Sequence, residues 1–137
     1  MIQIEQIPDY LVWPIRHKVM YPDMDFESIK LPEDESGMHM ALYDENKIIS
    51  VVSLFIENNE MQLRKFATLQ EYQGKGYGSA LLRYVIDYAK HISIFRLWCN
   101  ARKDALAFYC KFDFKETEIT FFKNGIDFVV MELNLNA

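Results

Sequence analysis

The stretch "EYQGKGYGSALL", residues 71–82, decides the fold because it places three glycines at alternate positions directly before a helical pattern. These are Gly74, Gly76 and Gly78. They make the backbone too flexible for the middle of a helix or strand. A strand is predicted to end at Leu69, and a helix to begin between Gly76 and Ser79. A helix start offers unpaired N–H groups and favours negative charge, so we expect an anion here, most naturally a diphosphate, with Lys75 adding positive charge.

Two known glycine-rich patterns do not fit this stretch. A P-loop requires G-x-x-x-x-G-K-[ST], whereas Lys75 lies between glycines and no Ser or Thr follows it. A dinucleotide fingerprint requires G-x-G-x-x-G near the first strand, whereas the spacing here is G-x-G-x-G and occurs late in the chain. A tight strand-to-helix turn with positive φ would explain one glycine well, and three at this spacing less well.

Composition narrows the class of protein. The chain has 137 residues, of which 50% are hydrophobic, which is enough for one domain over residues 1–137. Fifteen basic and twenty acidic residues give a net charge of −5, so the chain has no electrostatic reason to bind nucleic acid. We expect no membrane partner and a cytoplasmic location, since no signal peptide or long apolar run is present. Cys99 and Cys110 match no metal-ligand spacing, so no metal is expected, and both are predicted to be buried, reduced thiols.

The order of predicted elements is that of a mixed α/β domain around one sheet. Alternation and β-branched residues predict strands, helical spacing of apolar residues predicts helices, and Asn124-Gly125 predicts a hairpin turn. Asp104 is predicted to cap a helix or to lie in its first turn. The predicted segments are a strand near Ile2–Ile7, a helix after Pro8-Asp9 with Pro14 in its first turn or at a kink, a loop over 21–36, strands over 38–44, 48–57 and 61–69, a helix after the glycines, a strand over 92–100, a helix over 103–111, and a terminal hairpin.

Two stretches resemble one known family. "QGKGYG", residues 73–78, resembles the Q/R-x-x-G-x-G/A signature of the GCN5-related N-acetyltransferases. "WCNARKDALAFYCKFDF", residues 98–114, is similar to that family's second block, in which an Asn precedes Ala, Phe-Tyr and Gly-Phe. The matching residues are Asn100, Ala105, Phe108, Tyr109 and Phe114. Asp113 replaces the usual Gly, and because Asp tolerates a left-handed backbone we expect the turn to be preserved with slight strain.

The resemblance implies a fold and a cofactor. The fold would be α/β (α+β), with a mixed, mostly antiparallel sheet, helices on both faces and a splayed strand pair. The cofactor would be acetyl-CoA, the acyl donor. Backbone groups of Phe66, Ala67 and Thr68 would pair with its pantetheine arm, while Asn100 and Phe108 would also contact that arm. The diphosphate would be held by Gln73, Gly74, Lys75, Gly76, Tyr77, Gly78 and Ser79.

The resemblance also implies the reaction, which is direct acetyl transfer to an amine. Tyr109 matches the family's frequent general acid, and a neutral phenol suits the role of proton donor to the departing sulfur. The general base stays open. The position of the family's Glu falls on Gln62, which cannot act as a base. Glu60 lies on the same strand, and His17 and His39 lie in segments that the family uses around its acceptor.

The acceptor is not determined by the sequence. The first predicted helix and the loop after it bring acids beside aromatics, which suits a cationic amine, whereas Arg16 suits a carboxylate. Our working hypothesis is a primary amine of a small molecule or peptide. A CoA-binding module without transferase activity and a transferase for longer acyl chains are alternatives. The last two strands could pair subunits of a homodimer, although an internal role for them is simpler.

Overall fold

The structure is a computed structural model that describes residues 1–135. The strands are β1 (Ile2–Ile7), β2 (Met38–Asp44), β3 (Lys47–Glu57), β4 (Glu60–Thr68), β5 (Arg96–Arg102), β6 (Lys115–Lys123) and β7 (Ile126–Asn134). The α-helices are α1 (Asp9–Met20), α2 (Tyr77–His91) and α3 (Leu106–Cys110). Short 3₁₀ turns occupy Phe26–Ile29, Pro32–Ser36, Gln70–Tyr72 and Lys103–Ala105. The predicted order of strands and α-helices is confirmed.

The strands form one sheet in the order β1-β2-β3-β4-β5-β7-β6. Strands β4 and β5 run parallel, whereas β1 with β2, β2 with β3, β5 with β7 and β6 with β7 pair antiparallel. The sheet is therefore mixed and mostly antiparallel, as the resemblance implied. Strand β7 lies inside the sheet and β6 at one edge, so of the last two strands β6 is the one that could pair with a second copy. The homodimer itself stays a prediction.

Three hairpin turns are built from left-handed residues. Asn124 and Gly125 have φ of 51° and 77° between β6 and β7, as the sequence predicts. Glu45-Asn46 and Asn58-Asn59 adopt the same conformation in the two preceding hairpins. Consecutive left-handed residues match the twist of two-residue hairpin loops, and Asn accepts that conformation at small cost.

The chain divides into two compact units. The first unit comprises Met1–Phe55 with Arg64–Val85, and the second comprises Ile56–Leu63 with the chain from Ile86 onward. The prediction of a single domain over residues 1–137 stays a prediction.

The core of the first unit lies where α1 packs on the sheet. Its buried centre takes one residue each from β1, α1, β2, β3 and β4, with the partly buried apolar side of α1 against it. The central residues are Ile7, Val12, Ala41, Val51 and Ala67. The apolar spacing of α1 thus buries one helix face, while Pro14 is tolerated inside the helix.

A buried polar network joins the same helix to the loop that follows it. Arg16 has no exposed surface, and its guanidinium donates to both carboxylate oxygens of Asp34 at 2.8 and 3.2 Å. It also donates to Ser53 Oγ at 3.0 Å. Trp13 Nε1 and the Leu31 N–H donate to the same carboxylate at 3.0 and 2.9 Å. The segment predicted as a loop is therefore fixed by a two-pronged ion pair.

The start of β5 differs from the prediction. The strand begins at Arg96, not at Ile92. Helix α2 runs to His91 and ends with Ser93 in a left-handed conformation, φ 64°. The Ile94 N–H donates to the Ala89 carbonyl at 2.9 Å, which is the bond that closes a Schellman motif. The predicted first residues of the strand therefore form the cap of the helix.

The segment after β5 also corrects two predictions. The predicted helix over 103–111 is a 3₁₀ turn followed by the five-residue α3, and Asp104 lies in the first turn without a capping hydrogen bond. Cys99 is buried as predicted, but Cys110, the last residue of α3, is exposed. Asp113 has φ of 69°, which confirms the left-handed turn expected for it.

We predict that Asp34→Ala lowers the free energy of unfolding by about 3–5 kcal/mol, because it leaves the Arg16 charge buried without its partner. The control is Glu33→Ala, since Glu33 is half exposed and its ion pair with Arg64, at 3.1 Å, lies on the surface. That change should cost less than about 1 kcal/mol. Urea unfolding of both variants measures the difference, and equal values would contradict the prediction.

The difference in unfolding free energy between the wild type and Asp34→Ala should depend on pH. Burial raises the pKa of Asp34, but hydrogen bonds from Arg16, Leu31 and Trp13 outweigh it, so the net pKa lies below 3.8. The stability that depends on ionised Asp34 is therefore fully present above about pH 4 and is lost as the pH falls through the lower folded-state pKa. Urea unfolding at a series of pH values should show that the difference in unfolding free energy between the wild type and Asp34→Ala decreases only in that acid range.

Candidate functional site

The glycine turn has the predicted strand–turn–helix form. Strand β4 ends at Thr68, and α2 begins at Tyr77, where the Ala80 N–H donates to the Gly76 carbonyl at 3.0 Å. Gly74 and Gly76 have φ of 77° and 90°, and a Cβ on either would meet no atom within 4 Å. Their backbone conformation explains both glycines, and the space beside the turn is open.

Gly78 needs a different explanation. It is the second residue of α2 and so lies in helical conformation, where alanine would be more stable by about 1 kcal/mol. Positive φ therefore does not account for it. A helix start stripped of side chains lets a bound anion approach the unpaired N–H groups of the first turn, where Ser79 is half-buried.

Hydrogen bonds fix two side chains of the turn, Gln73 and Tyr77, while Lys75 is not fixed in this way. Gln73 Nε2 donates to the Thr68 carbonyl at 2.9 Å, which ties the turn to the end of β4. The Tyr77 hydroxyl donates to the Asp44 carboxylate at 2.5 Å, and this contact raises the pKa of the Tyr77 phenol. Lys75 forms no ion pair within residues 1–135 and lies 5.8 Å from the centre of the Tyr72 ring. Its charge is available to a ligand.

The strand before the turn carries an irregularity that the sequence did not reveal. Lys65 has φ of 55° in the middle of β4, a conformation that non-glycine residues adopt rarely in a strand. Its Nζ donates to the Tyr21 hydroxyl. The register of β4 with β5 covers four residue pairs and ends at Leu63 opposite Cys99. Both strands continue beyond that pair, β4 to Thr68 and β5 to Arg102.

The end of β4 is fixed by hydroxyl contacts. Ser50 Oγ donates to the Ala67 carbonyl at 3.2 Å and lies 2.8 Å from Thr68 Oγ1. Ala67 is buried, while Phe66 and Thr68 are half-buried. Two of the three residues expected to pair with a pantetheine arm, Ala67 and Thr68, are therefore held by Ser50 of β3, and Phe66 and Thr68 retain some exposed surface.

The second unit positions the residues of the other stretch. Asn100 is exposed on β5 opposite Val130. Phe108 and Tyr109 are neighbours on α3 with ring centres 5.2 Å apart, and the Tyr109 ring also contacts the Phe114 ring, with 5.4 Å between their centres. Only 8% of Tyr109 is exposed. The phenol is thus fixed in an aromatic cluster.

Burial controls the protonation of this phenol. It raises the pKa of Tyr109 far above the ordinary value of about 10, and the neighbouring Cys99 thiol raises it further. Burial also raises the pKa of Cys99, to about 12, although a hydrogen bond from Tyr109 opposes that shift. Tyr109 therefore keeps its proton at neutral pH, as a proton donor must.

Comparison with known proteins identifies the fold and chemistry. The family model described as an acetyltransferase (GNAT) domain matches residues 14–135. The chain belongs to the GNAT acetyltransferase family. It is therefore an acyltransferase of the N-acetyltransferase type, in agreement with the resemblance found in the two sequence stretches.

Three similar proteins illustrate this GNAT relationship. An uncharacterized N-acetyltransferase of Bacillus subtilis (strain 168), YitI, is 28% identical over 125 residues, 85% of this chain and 84% of that protein. The [ribosomal protein bS18]-alanine N-acetyltransferase of Haemophilus influenzae is 28% identical over 119 residues, 85% of this chain and 82% of that protein. A GNAT acetyltransferase from Elizabethkingia anophelis, solved with acetyl-CoA bound, covers 98% of both chains with a TM-score of 0.76 at 20% identity, which shows the same fold.

Two of the residues suggested for the acceptor or base are internal. Arg16 is fully buried in its ion pair with Asp34. His39 is also buried, with Nδ1 2.7 Å from Ser53 Oγ and Nε2 2.9 Å from the Asp34 carbonyl. Since Ser53 Oγ accepts from Arg16, it can give its own proton to His39 Nδ1. Both side chains contact the segment after α1, and their role toward an acceptor stays a prediction.

The other two suggested residues are partly exposed. His17 Nε2 lies 2.8 Å from the Met24 carbonyl in the first unit. Glu60 accepts from Arg96 at 2.7 Å in the second unit, and Arg96 also donates to Glu132 at 2.6 Å. Their roles stay predictions.

No three His, Cys, Asp or Glu side chains within residues 1–135 are grouped as metal ligands would be. None of the helices described between residues 1 and 135 has both the length and the apolar character needed to cross a membrane.

We predict that the Tyr109 phenol keeps its proton at the pH, near 10, where an exposed tyrosine ionises, because burial raises its pKa. Alkaline titration followed by tyrosinate absorbance measures this. Tyr109→Phe should leave the absorbance change unaltered, whereas the control Tyr84→Phe, which removes an exposed phenol, should reduce it. An equal reduction in both variants would contradict the prediction.

Proposed function

We propose that this protein transfers the acetyl group of acetyl-CoA directly to a primary amine of a small molecule or peptide, with Tyr109 as the general acid. The observation that carries the donor is the glycine turn, where Gly78 lies in helical conformation at an open helix start. Acetyl-CoA bound to the Elizabethkingia anophelis protein of the same fold supports this choice. The diphosphate would meet the N–H groups of residues 76–79 and the charge of Lys75.

The transfer has three requirements. A neutral amine attacks the thioester carbonyl, the resulting oxyanion must be stabilised, and the C–S bond must break with a proton delivered to sulfur. In our proposal, N–H groups near Ala67 and Thr68 polarise the carbonyl. The attacking nitrogen loses one proton to solvent, Tyr109 donates its own proton to the departing thiolate, and Tyr109 then recovers a proton from solvent, so the products are the neutral amide and the CoA thiol. Asn100 and Phe108 contact the pantetheine arm.

The acceptor proposal rests on one relative and on charge. The Haemophilus influenzae relative is named as acting on the alanine of a ribosomal protein, which supports a peptide amine as the acceptor class. The segment after α1 carries the acidic residues Asp23, Asp25 and Glu27, and the first two are exposed and form no ion pair within residues 1–135. A protonated amine would be attracted to such a segment.

We predict that Tyr109→Phe lowers kcat by about 100-fold or more while coenzyme A still binds, because only proton donation to sulfur is lost. The measurement is product mass after incubation with saturating acetyl-CoA and a panel of amines that includes a peptide with N-terminal alanine. Tyr84→Phe is the control and should keep full activity. An unchanged kcat in Tyr109→Phe would remove Tyr109 from the mechanism.

We also predict that Gly76→Ala weakens coenzyme A binding at least about tenfold. The matched control is Gly125→Ala, since Gly125 has a similarly left-handed φ of 77° and also has open space around its Cβ position. Both changes should cost about 1 kcal/mol of stability through backbone strain. Only the change in the turn should affect calorimetric binding of coenzyme A; equal affinities would argue against the turn as the diphosphate site.

A further inference from the structure

A cavity of about 610 Å³ lies beside the glycine turn, within the first unit. One wall comes from the end of α1 and the residues after it, and the other from the segment between β4 and Gln73. Its apolar lining is Val19, Pro22 and Leu69. Because Gln73 opens the turn that we assign to the diphosphate, this cavity and the proposed anion site share a boundary.

Lys18 is the cation of this lining. It is exposed, and within residues 1–135 it takes part in no hydrogen bond or ion pair through its side chain. Two other lysines of the first unit are engaged, since Lys30 pairs with Glu27 at 2.9 Å and Lys65 donates to Tyr21. A lysine in the last turn of a helix is favoured by the helix dipole alone, so its position needs a test that separates this effect from ligand binding.

We propose that Lys18 is a second cation for the diphosphate of acetyl-CoA, reaching it through the cavity while the glycine turn binds from the other side. This inference rests on the proposed function, and it adds a residue from α1 that belongs to neither family-like stretch. The flexible stem of lysine can pack along the apolar lining while its ammonium group extends to the anion.

The negative charge of Glu71 provides a second test, because its removal should change coenzyme A affinity in the direction opposite to removal of the Lys18 charge. It lines the same cavity and is exposed, so it opposes an anion there and would favour a cation. If the cavity receives the diphosphate, removing the Glu71 charge should strengthen coenzyme A binding. If it receives the amine acceptor instead, Glu71 has no such opposing effect and the substitution should leave coenzyme A binding unchanged.

The experiment is calorimetric titration of the full chain with coenzyme A at low and high NaCl. Lys18→Gln should weaken binding about threefold to tenfold, Lys18→Arg should bind nearly as the wild type does, and Glu71→Gln should bind about twofold to threefold more tightly. The differences should shrink at high salt, because the contact is electrostatic and partly exposed. Lys123→Gln and Glu118→Gln change the net charge equally on the β6–β7 hairpin and should bind as the wild type does.

The outcomes separate a failure of this inference from a failure of the proposed function. If the wild type binds no coenzyme A, the proposed function fails. If the wild type binds but Lys18→Gln binds equally well, or Glu71→Gln is not tighter, the inference about Lys18 is overturned while the proposed function stands. Equal losses in Lys18→Gln and Lys123→Gln would also overturn it, since they would reflect net charge alone.

Discussion

A buried ion pair between Arg16 and Asp34 fixes the segment that follows α1, over residues 21–36, against that helix. Removing two charges from water is costly, and the structure offsets that cost with further polar contacts from Ile29, Leu31, Trp13, Ser53 and His39. Arg16 Nε alone lacks a partner among the buried side-chain polar atoms of the described residues. The loop over 21–36 therefore has defined positions for its backbone although its composition is that of a flexible loop.

The glycine turn and the strand before it, β4, contain several residues with left-handed backbone conformation. Left-handed residues occur at Gly74 and Gly76 in the turn and at Lys65 in the strand before it. Glycine adopts this conformation at almost no cost in free energy, whereas at Lys65 it is unfavourable and must be offset by neighbouring contacts. Tyr21 provides one such contact, so the loop held by the ion pair also supports β4.

Much of this fold could be predicted from local pattern. Alternation of apolar and polar residues predicts the strands, Asn-Gly predicts the last hairpin turn, and the three glycines predict the turn before α2. All of these are local signals. The end of α2 could not be predicted because Ser93 takes the left-handed position that usually belongs to glycine. The sequence leaves a ligand-binding role open for Arg16 and His39, and it does not reveal that both are buried, since charged and polar residues are normally exposed. Their burial depends on Asp34 and Ser53, which are distant in sequence, so no local pattern reveals it.

The two cysteines lie in contrasting environments, and their chemistry should differ accordingly. Cys99 is enclosed beside Tyr109, and burial raises its pKa to about 12, so almost none of it exists as the nucleophilic thiolate. Cys110, the residue after Tyr109, is open to water. An alkylating reagent should therefore modify the protein once, on α3. The attached group would sit next to the proposed proton donor and could serve as a covalent reporter of its surroundings.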